Sequence, residues 1–213
     1  MSDTTTDARE FWETFYTERD RIWSGEPNPL LVREAADLAP GRALDLGCGE
    51  GGDAIWLAAR GWQVTAVDIS ATALARTAEH AAQAGVGERI VTAEHDLRHS
   101  FPDGAFDLVS AQFFHSPVGD TERLPVLRRA AEAVASGGVL LIAGHAGWPS
   151  FVEGDHEHSH VHLPSTDEVL AGLDLPEQRW RVEAAEEVER EVTWPDGRTG
   201  TRADNIVRLR RLD

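Results

Sequence analysis

The sequence predicts an α/β fold: a Rossmann-like, doubly wound, seven-stranded sheet between two layers of helices. Short apolar segments alternate with helical patterns from residue 42 to residue 144. A glycine-rich turn follows the first apolar segment. Two alternating segments, 180–194 and 203–211, joined through Pro195-Asp196-Gly197, predict a C-terminal antiparallel hairpin on an otherwise mostly parallel sheet. We therefore expect a single domain over residues 1–213.

Each element has a local signal. Parallel strands covered on both faces are nearly continuously apolar, as in Val139-Leu140-Leu141-Ile142. Asn28 before Pro29 is typical of an N-cap and first helical turn, as is Ser165 or Thr166 before the last helix. The predicted parallel strands are 42–46, 63–67, 89–94, 106–111 and 139–144. The predicted helices after Asn28 are 29–38, 50–60, 71–84, 120–135 and 166–173.

Composition restricts the partners and the chemistry. The formal charge of −17 over 213 residues disfavours nucleic acid and anionic membranes, which reward basic surfaces. All 20 basic residues are arginine, so Schiff-base chemistry on lysine is excluded. Cys48 is the single cysteine, and the N-terminus lacks a basic-then-apolar signal. We expect a cytoplasmic protein with a small-molecule partner; the sequence does not predict its oligomeric state.

The glycine turn fits two kinds of cofactor. Gly47, Gly49 and Gly52 satisfy the pattern G-x-G-x-x-G, and Asp68 follows Gly47 by 21 residues, as in nicotinamide-binding domains. However, the turn also carries Asp45, Glu50 and Asp53. Carboxylates repel a pyrophosphate, whereas they favour S-adenosylmethionine, which has a cationic sulfonium and ammonium and no phosphate. In either case Asp68 is expected to bind ribose hydroxyls. The alternative is a tight turn without a ligand.

A second acidic position follows the third strand. Asp96-Leu97 is placed to pair with the adenine amino group and to pack against its ring. The alternative is that Asp96 is simply a turn residue.

Taken together, Leu44-Asp45-Leu46-Gly47-Cys48-Gly49-Glu50-Gly51, Asp68-Ile69 and Asp96-Leu97 resemble the class I S-adenosylmethionine-dependent methyltransferases over residues 28–213. The leader Trp12-Glu13-Thr14-Phe15-Tyr16, with Trp23-Ser24-Gly25-Glu26-Pro27-Asn28-Pro29, resembles the small-molecule branch that includes tellurite-resistance and thiopurine-type methyltransferases. The resemblance implies that residues 1–27 form an aromatic cap over the cofactor, although Trp12, Phe15 and Tyr16 are also spaced for packing. The cofactor-binding residues it implies are Trp23, Asp45, Gly47, Gly49, Asp68, Ile69, Asp96, Leu97 and Gln112.

Two histidines follow the strands that line the expected acceptor pocket. His115 lies just after strand 106–111, and His145 just after strand 139–144. We predict His115, with His145 as the second choice, as the acceptor-side base or orienting residue. A single histidine in such a loop is more often a structural residue, and that alternative stays open for each.

Four further histidines fall within seven residues: His156, His158, His160 and His162. In an extended segment, a spacing of two places all four imidazoles on one face, where they can bind zinc, nickel or copper. The plainer interpretation is a solvated loop that binds metal only adventitiously. Our hypothesis is that residues 146–164 form a lid that supplies one or two histidines to the acceptor or to a divalent metal.

The sequence thus favours a methyltransferase that acts on a small-molecule heteroatom nucleophile. One alternative is an NAD-dependent oxidoreductase, and another is a metal-binding or regulatory protein on a methyltransferase scaffold. Whether the acceptor is a thiol, an amine, a hydroxyl, a halide or a metalloid is not predicted.

Overall fold

The computed structural model describes residues 7–114, 123–152, 162–193 and 197–213. The helices are α1 (Ala8–Thr17), α2 (Pro29–Ala35), α3 (Gly52–Ala59), α4 (Ala71–Gln83), α5 (Arg123–Glu132) and α6 (Thr166–Leu173), with 3-10 turns at Gly87–Arg89 and Ser150–Val152. The strands are β1 (Arg42–Leu46), β2 (Gln63–Asp68), β3 (Ile90–Glu94), β4 (Phe106–Gln112), β5 (Val134–His145), β6 (Trp180–Thr193) and β7 (Thr199–Arg211).

The strands form one seven-stranded sheet in the order β3-β2-β1-β4-β5-β7-β6. Strands β1 to β5 pair in parallel, whereas β7 is antiparallel to both β5 and β6. The prediction of a doubly wound sheet with a C-terminal antiparallel hairpin is confirmed. The strand order reverses between β1 and β4, and in such sheets ligands bind beyond the carboxyl ends of the strands at this point.

The predicted helix 120–135 extends too far, because α5 ends at Glu132 and the chain joins β5 at Val134. Val134 fits the helical spacing of apolar residues, which is why the prediction included it. In the structure, Val134 instead lies opposite Phe106 of β4 and belongs to the strand. The hairpin is likewise longer than predicted, since β7 begins at Thr199 rather than at residue 203.

The helix caps follow the sequence. The Asn28 side chain accepts a hydrogen bond from Leu30 N at 2.9 Å. Ser165 and Glu168 form a capping box at the start of α6. Two apolar clusters, one on each face of the sheet, hold these helices in place; Leu31 and Leu57 are fully buried in one, and Leu127 and Leu173 are buried in the other.

Helix α1 is attached to the start of α4. The Glu13 carboxylate accepts a hydrogen bond from Ser70 Oγ at 2.6 Å and a second from Thr72 Oγ1. In return, the Arg76 guanidinium of α4 donates to the Tyr16 carbonyl at 2.9 Å. These contacts place the aromatic side chains of α1 beside the carboxyl ends of β1 and β2.

Within the described ranges, every helix is too short or too polar to traverse a bilayer.

Candidate functional site

A cavity of about 1100 Å³ opens at the carboxyl ends of the central strands. Small-molecule pockets typically measure roughly 300–1,000 Å³, so this cavity has room for two ligands side by side. Of the residues predicted to bind cofactor, all but Asp45 line it: Trp23, Gly47, Gly49, Asp68, Ile69, Asp96, Leu97 and Gln112. His145 lines the same cavity.

The glycine turn after β1 depends on the absence of side chains. Gly47 has φ +68°, and a Cβ there would lie 2.9 Å from the Phe114 ring. Gly49 has φ +55°, and its Cβ would lie 2.9 Å from the Tyr16 hydroxyl. Both positions therefore need glycine for backbone conformation and for space, and the turn leaves its backbone open to close approach by a ligand.

Buried and partly buried carboxylates surround this turn. Asp68, at the end of β2, accepts hydrogen bonds from Gly49 N at 2.9 Å and from Ser70 N at 3.0 Å. Asp53 accepts one from Asn28 N at 2.6 Å. Burial raises the pKa of Asp68, and it raises the pKa of Asp53 to about 6. Burial, Asp53 and Asp68 together raise the pKa of Asp45 well above its usual range.

Two buried oxygen atoms near the turn have no hydrogen-bond partner among the described residues. They are Asp45 Oδ2 and Gln112 Oε1. Gln112 lines the cavity, and its amide nitrogen donates to Ser110 Oγ at 3.1 Å, which leaves the carbonyl oxygen as the acceptor. Buried acceptors without donors are uncommon. Together with the raised carboxylate pKa values, these atoms fit a cationic ligand with N–H donors.

Glu50 differs from the other acids of the turn because it already has partners. Burial raises its pKa, but backbone N–H donors from Trp23 and Ile22 and the Arg76 guanidinium lower it more, so the net pKa is below its usual value. Arg76 Nη1 lies 2.8 Å from Glu50 Oε1. Glu50 therefore joins the turn to α4 and to the N-terminal segment, and its charge is balanced within the protein.

The predicted adenine end is formed by Asp96, Leu97 and Ile69. Leu97 is buried, and Asp96 accepts three hydrogen bonds from Arg98, one from its backbone and two from its guanidinium. The Arg98 side chain lowers the pKa of Asp96. The carboxylate is therefore ionised and held in place.

Aromatic residues of the N-terminal segment line the cavity beside the glycine turn. Trp23 is 51% exposed, and its indole nitrogen donates to the Tyr16 hydroxyl at 3.3 Å. Tyr16 is buried; burial and the neighbouring Asp68 raise the pKa of its hydroxyl. Trp12 also lines the cavity. Tyr16 and Trp12 thus pack against each other and also line the cavity, two roles that helical spacing alone did not distinguish.

At the other end of the cavity, His145 is the last residue of β5 and contacts Phe113, with ring centroids 4.5 Å apart. Its Nδ1 lies 2.8 Å from Oδ1 of the buried Asp204 on β7. An ionised carboxylate accepts the Nδ1–H, so Nε2 is the basic nitrogen. Burial lowers the pKa of His145, although Asp204 opposes this shift, so the imidazole is neutral at pH 7. Burial raises the pKa of Asp204, but hydrogen bonds from His145 and Arg190 lower it more.

The sequence interpretation missed three residues of this end: Asp204, Arg190 and Arg202, all of which line the cavity. Arg190 Nε donates to Asp204 Oδ2, and Arg202 Nε donates to the Gly147 carbonyl at 3.0 Å. Arg190 and Arg202 are directly opposite each other in the β6–β7 pairing. The alternating pattern of both hairpin strands was visible in the sequence. The sequence did not show which face of the hairpin meets the cavity.

Several predicted residues lie outside the described ranges. These are His115, the first choice as acceptor-side base, and His156, His158 and His160 of the histidine cluster. His162 is exposed, and its Nε2 lies 3.2 Å from Glu168 Oε1. The described part of the chain contains no group of three or more histidine, cysteine or acidic residues that could hold a metal ion. The metal hypothesis stays a prediction.

Comparison with known proteins gives a consistent result. A family model described as "Methyltransferase domain" matches residues 43–138. "Ribosomal RNA small subunit methyltransferase C" of Alcanivorax borkumensis is 32% identical over 148 residues, which are 68% of this chain and 45% of the relative. "2-heptyl-1-hydroxyquinolin-4(1H)-one methyltransferase" of Mycobacteroides abscessus is 28% identical over 145 residues, which are 66% of this chain and 64% of the relative. The chain thus spans only about half to two thirds of these relatives.

Solved structures share the fold of this chain. One, described as "Conversion of a Disulfide Bond into a Thioacetal Group during Echinomycin Biosynthesis", superposes with a TM-score of 0.76 at 24% identity. The match covers 97% of this chain and 92% of that chain.

Proposed function

We propose that this chain, which belongs to the class I S-adenosylmethionine-dependent methyltransferases, transfers a methyl group from that cofactor to a small molecule with a nucleophilic heteroatom. The observation that carries the proposal is the group of three carboxylates around the glycine turn, the buried Asp45 and Asp68 and the partly buried Asp53. Their pKa values are raised, and nearby cations of the described chain do not balance their charge. A cationic cofactor supplies that balance, whereas the pyrophosphate of NAD would add to the negative charge.

The proposed binding residues follow from this placement. Each carboxylate oxygen of Asp68 accepts one backbone hydrogen bond and has a second acceptor site, which suits the two ribose hydroxyls. Gly47 and Gly49 allow close approach, and the Gln112 carbonyl would accept from the cofactor's ammonium, while Asp45, behind the turn, would orient the loop. Asp96, Leu97 and Ile69 would surround the adenine, and Trp23 would cover the site. When bound, the cofactor supplies an electrophilic methyl group on a sulfonium.

His145 is the proposed acceptor-side base among the described residues, with His115 still predicted for the same role. Methyl transfer is an in-line displacement at carbon, and much of the rate comes from positioning the acceptor. A hydroxyl, thiol or amine acceptor must also lose a proton, which Nε2 of a neutral imidazole can take. Asp204 is a positioning residue in this scheme: it orients the ring and stabilises the imidazolium that forms.

A small acceptor is favoured over RNA by electrostatics. The relative from Alcanivorax borkumensis is named for ribosomal RNA, whereas that from Mycobacteroides abscessus is named for a small quinolone. RNA binding depends on basic side chains that neutralise phosphates. This chain has a net charge of −17, which opposes such binding.

Calorimetry with S-adenosylmethionine, S-adenosylhomocysteine and NAD tests the cofactor assignment. We expect the first two to bind and NAD to give no heat. Binding of NAD alone would overturn the proposal in favour of an oxidoreductase, and binding of none would favour the metal-binding or regulatory alternative.

Incubation with methyl-tritiated S-adenosylmethionine tests the acceptor class. Two substrates are supplied in parallel: a metabolite extract that passes a 3-kDa filter, and total ribosomal RNA. Label is expected in small molecules; label in RNA alone would contradict the acceptor assignment.

A further inference from the structure

We propose that the methyl acceptor carries an anionic group, of the carboxylate type, which the guanidiniums of Arg202 and Arg190 bind at the end of the cavity away from the glycine turn. This inference rests on the proposed methyl-transfer function and specifies the substrate class of that same site.

The first support is the place of these arginines in the sheet. The glycine turn follows β1, and β7 lies three strands away in the order β1-β4-β5-β7. At about 4.8 Å per strand, the two ends of the cavity are roughly 14 Å apart. The cofactor residues lie at the β1 end, and Arg190, Arg202 and His145 lie at the other. The arginines therefore face the second ligand and not the cofactor.

The second support is unbalanced positive charge. Arg190 and Arg202 are cross-strand partners on adjacent β-strands, an arrangement in which like charges repel. The buried carboxylate beside this pair is Asp204, and both of its oxygens are already used, one by His145 and one by Arg190. Arg202 makes a hydrogen bond through Nε to the Gly147 carbonyl, and no ion pair joins it to a carboxylate of the described residues.

Burial strengthens the argument for Arg202. The side chain is half-buried, and burial lowers its pKa, as does the proximity of Arg190, while Asp204 opposes them. A half-buried guanidinium that shares its nearest counter-charge with another arginine is costly. Glu191 also lines the cavity, but it is exposed, so solvent screens its charge. An anion bound by the terminal nitrogens of Arg202 supplies the missing charge.

The third support is the shape and polarity of the surroundings. The Phe113 ring lies 5.9 Å from the Arg190 guanidinium and 4.5 Å from the His145 ring, and Val188 lines the same wall. A substrate with an apolar body and one planar anionic group fits these surroundings. Its apolar part can contact Phe113 and Val188, and a guanidinium binds a carboxylate through two parallel hydrogen bonds in one plane. The acceptor's nucleophilic atom would then lie toward His145 and the cofactor.

The cavity is thus electrically divided. Carboxylates dominate around the glycine turn, and guanidiniums face the acceptor end. A cationic methyl donor and an anionic acceptor would each lie beside charges of opposite sign, which also orders the two ligands within one cavity.

The first experiment sorts candidate acceptors by charge, so the acceptor need not be identified beforehand. A metabolite extract below 3 kDa is separated at pH 7 into an anion-exchange-bound fraction and a flow-through, and each is incubated with the full-length protein and methyl-tritiated S-adenosylmethionine. We expect acceptor activity in the bound fraction. Activity confined to the flow-through would overturn the inference but leave the proposed function intact. Absence of methyl transfer in both fractions would overturn the proposed function and this inference with it.

Variants then assign the anion site. Arg202→Gln is expected to lower kcat/KM for the anionic fraction by about 10- to 100-fold, the equivalent of one charged hydrogen-bonding contact. Arg202→Lys should restore part of the loss because it keeps the charge but not the planar fork. Arg181→Gln removes the same charge from an exposed position on β6 outside the cavity and should have no effect.

Calorimetry with S-adenosylhomocysteine checks that each variant is folded, and unchanged cofactor affinity is expected for all three. An Arg202→Gln protein that binds this ligand normally and methylates the anionic fraction as well as the parent would refute the role of Arg202.

Discussion

Replacement of Asp68 by asparagine separates the two roles that the structure suggests for this carboxylate. In the protein without ligand, Asp68 accepts hydrogen bonds from Gly49 N and Ser70 N. In the complex it would also accept from the ribose hydroxyls. The substituted amide would keep one acceptor oxygen, lose the other, and remove the negative charge.

The expected changes in stability and in affinity differ. Loss of one backbone hydrogen bond costs about 1 kcal/mol, but removal of a buried charge offsets that cost, since burial raises the pKa of Asp68. We therefore expect the free energy of unfolding of the unliganded protein to change by less than about 1 kcal/mol. Affinity has no such offset: loss of a charged acceptor for the ribose costs about 1.5–3 kcal/mol, or about 10- to 100-fold in Kd.

Calorimetry with S-adenosylhomocysteine and denaturant unfolding without ligand measure the two quantities. Asp107→Asn is the matched control, because Asp107 also accepts a backbone hydrogen bond, from Arg42 N at 2.8 Å, but does not line the cavity. Its cofactor affinity should equal that of the parent. An unchanged Kd for Asp68→Asn, or a loss of affinity matched by an equal loss of unfolding free energy, would refute the ribose assignment.

The remaining predictions concern pH, the acceptor end and the glycine turn. Because burial raises the pKa of Asp53 to about 6 and also raises that of Asp68, cofactor affinity should increase as pH rises through about 6, and protons should be released on binding. Calorimetry in two buffers of different ionisation enthalpy measures the number of protons exchanged. Proton uptake on binding would contradict this prediction. Asp204→Asn should lower kcat by about 10- to 100-fold without weakening S-adenosylhomocysteine binding, since general-base catalysis contributes about 10²–10⁴-fold. Loss of the carboxylate also lets the pKa of His145 fall further, so the acid limb of the pH–rate profile should move to lower pH; an unmoved limb would exclude His145 as the titrating base. Gly49→Ala should lower the free energy of unfolding by about 1–2 kcal/mol or more, because Gly49 has a φ of +55°. The same variant should bind the cofactor more weakly. An unchanged free energy of unfolding together with an unchanged cofactor affinity would show that the turn adapts to the side chain.

The same buried acids make the unliganded protein pH-sensitive. A carboxyl group whose pKa is raised by folding binds protons more tightly in the folded state, so its ionisation costs stability. The contribution of Asp53 is therefore most favourable below its unfolded pKa and is lost as pH rises through about 6. A bound cation would reverse this loss at neutral pH.

The acceptor end was predictable only in part. His145 was identified because it directly follows an apolar strand, and strand ends in this kind of sheet meet the ligand. Asp204 was not identified, although it lies 59 positions further along the chain and contacts His145 directly. Its partner is set by the antiparallel register of β5 and β7, in which His145 lies opposite Asp204. β5 and β7 are far apart in the sequence, so the residue opposite His145 follows from which strands pair in the folded sheet and not from the segment around His145.

Local sequence by itself determined the sheet, its glycine turn and the sign of the charge at the cofactor end. These depend on short-range chemistry: apolar runs bury, glycine adopts positive φ, and the carboxylates Asp45, Asp53 and Asp68 lie within one turn and the next strand end. Only the tertiary structure decided the acceptor end, because the hairpin from the far end of the chain brings Arg190, Arg202 and Asp204 beside His145. The physical reason is that electrostatic balance depends on distance in space, and these residues become neighbours only when β7 pairs with β5 and β6.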